Sequence, residues 1–194
     1  MLQFYKPSGR ILAGSDLTFG DTVEMGDVGL DMGAYVLRLR RGGFPSGGII
    51  RLSNRLECET ARLGWLNRFV GSFTLSGTCV AVGSTVEGTL TVEAGDTLRA
   101  GPEGGSLTVT GSVVNDGTIR DDPATGAHLW LYVTGDLADN GVWANYRTQL
   151  TGTEDQRLIQ SDGGATPNAW ATQLAHQDTL GVARAGTSLR LAKE

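Results

Sequence analysis

Apolar residues recur along this chain in short alternating pieces separated by glycine, and between residues 106 and 145 one such pattern is written twice. SLTVTGSVVNDGTIRD (106–121) lies over WLYVTGDLADNGVWAN (130–145) without a gap, at an offset of 24 residues. Leu107 and Leu131, Val109 and Val133, Thr110 and Thr134, Gly111 and Gly135, and Gly117 and Gly141 are identical, while Val113/Leu137 and Ile119/Trp143 stay apolar. Self-similarity at a fixed period of roughly 20 to 50 residues marks a stacked-repeat architecture, in which each unit buries its apolar side only against the next. The unit reads as strand, glycine corner, short strand, Asn/Asp-Gly turn, strand. The expectation is an all-β chain wound as coils of a β-solenoid.

The remainder of the chain fits that grammar with varying clarity. Between residues 11 and 39, Leu17 and Phe19, Val23 and Met25, Val28 and Leu30, and Val36, Leu37 and Leu39 alternate in pieces punctuated by glycines, as solenoid faces would. Residues 49–70 carry little glycine, and Leu52, Leu56, Leu63, Leu66 and Val70 recur at roughly helical intervals, which predicts a short helix or an irregular excursion there. From residue 73 to 160 the strand pattern is clearest. TLTV (89–92) matches SLTV (106–109) at an offset of 17, which implies coils of unequal length. Residues 101–105 and 121–126 read as corner loops, and 161–168 as a polar loop. Residues 161–194 keep apolar positions but lose the repeat, as terminal coils do, and 187–191 is the last strand-like piece. One domain spanning 1–194 is expected at this length.

Composition supports the β reading: 29 glycines against five prolines, with Thr, Val and Leu between them, suit short strands and tight corners. The formal charge of −5 argues against a nucleic-acid partner. Through residue 70 there are nine Lys and Arg against seven Asp and Glu; beyond it there are seven against fourteen, so the two ends differ in sign. Such asymmetry steers head-to-tail association, or is an incidental solvated imbalance. No apolar run of about 18 residues spans a membrane, and the first residues show no signal peptide. Cys58 and Cys79, 21 residues apart, sit about one coil apart, as a possible disulfide or as two buried thiols.

Side chains alternate along a strand, so if Leu131 and Val133 face inward, Trp130 and Tyr132 face outward. Two neighbouring outward aromatics mark a ligand or partner surface, unless a loop such as 161–168 covers them; Tyr146 is a third candidate, and Trp143 is expected in the core. Arg38, Arg40 and Arg41 form either an anion or polysaccharide patch or one solvated strand face. Asp116, Asp121, Asp122, Asp136 and Asp139 offer carboxylates for glycoside hydrolysis, although Asp116 and Asp139 stand where turns use Asp as a backbone acceptor. His128 and His176 lack zinc spacing, calcium-loop spacing is absent, and neither a Gly-x-Ser-x-Gly nor a phosphate-cradling motif occurs. No metal, cofactor or catalytic residue is therefore expected. Paired threonines at 89/91 and 108/110 suggest two rungs of an ice-binding array, interrupted at Trp130 and Tyr132.

LTVTGSVVNDGTI (107–119) and VTGDLADNGVWANYRTQLTGT (133–153) resemble repeats of bacterial secreted or surface proteins that form right-handed parallel β-helices, adhesin-like and filament-forming. The likeness covers about residues 73–160 and concerns architecture more than activity. It implies an extracellular or cell-surface setting. The expected function is a non-enzymatic structural or adhesive module, assembling end to end or meeting a cell-surface or polysaccharide partner. The alternative is a carbohydrate-active or carbohydrate-binding β-helix, such as a polysaccharide depolymerase or phage fibre fragment.

Overall fold

The computed structural model describes residues 2–4, 9–26, 28–160, 173–176 and 183–185. They wind into a parallel β-solenoid of about eight turns, with three strand stations per turn. The first face stacks Arg10–Leu12, Gly29–Asp31, Ile49–Arg51, Arg68–Val70, Ser84–Glu87, Gly105–Val109, Leu129–Val133, Arg147–Leu150 and Gln173–His176. On the second lie Leu17–Phe19, Leu37–Leu39, residues 55–59 and 73–78, Leu90–Val92, Val113–Asn115, Leu137–Asp139, Gln156–Gln160 and Ala183–Ala185. Leu2–Gln3, Val23–Glu24, Gly43–Ser46, residues 61–65 and 78–81, Thr97–Ala100, Thr118–Arg120 and Val142–Ala144 make the third.

The 24-residue repeat is one coil. Leu107 pairs with Leu131 and Val109 with Val133, Val113 with Leu137, and Ile119 with Trp143, each in parallel register. Because side chains alternate, every second residue of a strand points inward, and successive coils stack these residues in columns. One column runs Leu30, Ile50, Phe69, Val86, Val109, Val133, Leu150, all buried. Phe4, Phe19, Phe44, Phe69 and Phe73 form an aromatic spine near the start of the chain, with ring centroids 5.9 to 6.4 Å apart. A second column begins Leu37, Leu56, Leu75, Val92 and then turns polar at Asn115 and Asp139. There Asn115 Nδ2 donates to Asp139 Oδ1 at 2.8 Å inside the core.

Coils differ in length, yet not by the comparison of TLTV with SLTV. Leu90–Val92 lies on the second face and Gly105–Val109 on the first, so these stretches do not stack. Their threonines accordingly form no shared array. The unequal lengths come from elsewhere: Phe69 pairs with Val86, 17 residues on, whereas Val109 pairs with Val133. Corner loops absorb the difference.

Residues 49–70 hold no helix. They form Ile49–Arg51, Arg55–Trp65 and Arg68–Val70, an ordinary coil in which the helically spaced apolar residues come from different faces. Leu66 is 78% exposed and so is no core residue. The irregularity is a single extra residue: Glu59 pairs with Thr78 and Ala61 with Cys79, leaving Thr60 as a bulge at φ 58°. Beside that bulge Cys58 and Cys79 are joined as a disulfide, Cα atoms 5.1 Å apart, linking two adjacent coils. Among the described residues no helix is long and apolar enough to cross a membrane. The expected loop at 161–168 and last strand at 187–191 lie outside the described residues.

Candidate functional site

The corner between the third and first faces changes character from coil to coil, and its loops gather the aromatic groups. Residues 65–67 turn one coil, residues 82–83 the next, 101–104 the third, 121–128 the fourth and 145–146 the fifth. At the first of these, Leu66 adopts φ 62°, a left-handed conformation that costs a non-glycine residue roughly 1–2 kcal/mol. The turn leaves Trp65 60% exposed, its indole lying on Gly83 of the next coil. A Cβ on Gly83 would meet Trp65 Cε3 at 2.6 Å, so only glycine lets the ring lie there.

Three coils further on, Trp130 and Tyr132 alternate outward from Leu129–Val133 while Leu129, Leu131 and Val133 are buried. Trp130 is flanked in register by Ser106 on one side and Arg147 on the other. The Arg147 guanidinium sits 5.3 Å from the Trp130 ring centroid. Tyr146 packs at 5.4 Å from the same indole and stacks on His128 at 4.0 Å, interplanar angle 20°. Trp130, Tyr132 and Tyr146 are thus brought to one edge of the solenoid, and Trp143 is in the core, its Nε1 donating to Thr148 Oγ1 at 2.9 Å. Trp65, Glu103, Ser106, His128, Trp130 and Tyr132, with Val82 and Gly104–Gly105 beneath, enclose an open groove of about 690 Å³.

Asp121 holds this edge in shape. Its Oδ1 accepts from the amides of Leu129 and Tyr146, both at 2.8 Å, and its Oδ2 lies 3.0 Å from His128 Nδ1. The neighbouring carboxylate of Asp122 accepts from Thr125 Oγ1 at 2.9 Å and pairs with Arg99 at 3.0 Å. The Thr125 hydrogen bond, with help from the Ala124 amide, Arg99 and Arg120, holds the Asp122 carboxyl below its usual range against the effect of burial.

The other candidate carboxylates serve structure. Asp116 accepts from Asn140 Nδ2 at 2.7 Å, and Asp136 accepts from the Arg157 amide at 2.8 Å and its guanidinium at 3.0 Å. Asp139 does not lie on the outer surface; it is buried beside Asn115 and accepts from the Gly141 amide at 3.2 Å. Arg38 of the arginine run is committed to Asp16 and Glu57 across two coil boundaries, while Arg40 and Arg41 are exposed. Arg38 is thus a paired residue of the strand face, and Arg40 and Arg41 follow it in the corner beyond Leu37–Leu39.

Trp65 escapes any local reading of the chain. Its partners in the groove lie 17 to 67 residues away, and only the winding of the coils brings Val82, Ser106 and Trp130 beside it. Among the described residues no group of His, Cys, Asp and Glu is arranged to hold a metal. Compared with protein-family models, curated proteins and solved structures, the chain matches none.

Proposed function

We propose that this chain is a non-enzymatic adhesive or structural module that works outside the cell, meeting its partner through the aromatic corner of the solenoid. The observation that carries this reading is the cluster of exposed Trp65 with half-buried Trp130, Tyr132 and Tyr146 at one corner of the stacked coils. Large aromatics left open to water at one edge favour interaction, because covering them releases apolar area and adds ring-stacking energy. The carboxylates that a hydrolase would need are tied into corners and ion pairs, which favours binding over turnover. An extracellular setting accords with the Cys58–Cys79 disulfide, since such bonds persist in oxidising compartments.

The same reading includes end-to-end pairing. Among the described residues, Leu17–Phe19 pairs with Leu37–Leu39 and with no second strand. Leu2 and Leu12 nearby in the chain are 45% and 66% exposed. An open parallel edge with apolar side chains is a template for a further strand.

Adhesion assays of the purified chain on immobilised polysaccharides and cell-surface extracts test the proposal, alongside a W130A/Y132A variant. Retention of the parent chain, loss of it in the variant, and no release of reducing ends are the expected results. Equal behaviour of parent and variant on every surface refutes it.

A further inference from the structure

Resting on that reading of the aromatic corner, we infer that the groove between Trp65 and Trp130 takes a chain of neutral pyranose sugars seated over Ser106. Ser106 pairs with Trp130, and Gly83 immediately precedes Ser84, the register partner of Leu107, so the three lie on successive coils. The Trp65 indole lies on Gly83, so the two tryptophans flank Ser106 from opposite sides. Two strand spacings separate the Gly83 and Trp130 rows, roughly 10 Å. Such a gap admits a single flat ring with an aromatic group on each side. Arg147 covers one face of Trp130 from the following coil, which leaves the other face toward Ser106. The groove volume of about 690 Å³ falls in the size class of small-ligand sites, about 300–1,000 Å³.

The lining matches one ligand chemistry better than its competitors. A pyranose presents an apolar C–H face and a rim of hydroxyls; indole walls suit the first, and Ser106, Glu103 and His128 suit the second. Neither Lys nor Arg lines the groove, and its one carboxylate is Glu103. An acidic or sulfated chain would bring its charge beside Glu103 with no cation to receive it. A peptide adding as a further strand would need a free sheet edge, yet Gly105–Val109 is bonded to strands on both sides. Neutral sugars are the class this lining suits best.

Gly83 is then a positioning residue, acting through Trp65. Replacing it with alanine pushes the Trp65 indole off its seat while truncating no groove side chain.

Titrating the full chain with soluble neutral glucan, mannan and xylan, and with polygalacturonate and heparin as acidic probes, tests the inference by calorimetry and tryptophan fluorescence. Binding to at least one neutral polymer is expected, weakened at least tenfold in W65A and in W130A and severalfold in G83A. Tyr35→Ala, exposed on a different corner, keeps the parent affinity. Thermal melts of each variant verify folding, and G83A, which truncates no groove side chain, keeps the inference testable where a tryptophan variant fails to fold. Binding confined to the acidic polymers or to protein surfaces, yet still lost in W130A, overturns the sugar assignment and leaves the binding module standing. Neutral-sugar binding that ignores all three substitutions overturns the groove. Adhesion of the parent chain to nothing removes the underlying module as well.

Discussion

Gly111 sets the distance between two coils by having no side chain. Gly71, Gly88, Gly111 and Gly135 recur where the first face turns into the second, each close against the backbone of the coil before it. A Cβ on Gly135 would come within 2.6 Å of Gly111 C, and one on Gly111 equally near Gly88 C. Backbone cannot swing aside as a side chain can, so Gly111→Ala must part the coils locally. A cost of about 1–3 kcal/mol is expected, the range for overpacked sites. Gly14 has open space around the same position, and Gly14→Ala should be neutral or stabilising by up to about 1 kcal/mol. Denaturant titration of the two variants checks the contrast, and equal midpoints would contradict it. Asp122 gives a pH-dependent counterpart. Its carboxyl is held below the usual range in the folded chain, first by Thr125, so the ionised form favours folding. That contribution is complete above the unfolded carboxyl pKa of about 3.9 and is lost as pH falls through the lower folded value. Asp16, held down by the Val36 amide and then by Arg38, adds in the same direction. Stability measured from pH 7 down to pH 3 should therefore fall, and Asp122→Asn should flatten part of that fall.

Between elements, the disulfide is the one covalent link among stacked coils. Cys58 and Cys79 close a loop of 21 residues in sequence, for which chain entropy alone gives about 3 kcal/mol. Reduction, or C58S/C79S, should lower the denaturation midpoint by that order, while circular dichroism of the native state keeps its strand signal. A second link is the buried pair Asn115 and Asp139, where Asn115→Ala removes a donor from an enclosed carboxylate and should cost about 1–3 kcal/mol. The coil itself was legible in the sequence because identical residues 24 apart, Leu107 with Leu131 and Gly111 with Gly135, must stack to bury one face and fit one corner. Residues 49–70 misled because Leu52, Leu56 and Leu63 are inward residues on successive faces, and a short coil places such residues at intervals that mimic a helix. The outward pair Trp130 and Tyr132 was legible from alternation alone. Trp65 was not, since its role depends on which glycine lies one coil away.

At the scale of the whole molecule, a solenoid is stabilised by contacts between neighbouring turns, and among the described residues Leu17–Phe19 pairs with one strand, Leu37–Leu39. Leu2 stays exposed there although its register partner Val23 is buried, and Leu12, in an outward column with Asp31 and Arg51, is exposed as well. Charge attraction between copies is small at the first turn, where residues 1–37 carry two Lys and Arg against five Asp and Glu; the Arg excess lies in residues 38–70, seven against two. Such attraction weakens with salt, because exposed charges are screened beyond about 8 Å at physiological ionic strength. Apolar contact at Leu12 does not weaken in this way. Light scattering across a concentration series should thus show growing particles, with an end state that persists at high salt. Leu12→Lys adds a desolvation cost at the junction, and should hold the chain monomeric without changing its melting profile. Particles of constant mass at every concentration would mean that the open turn is not a docking end for a second copy.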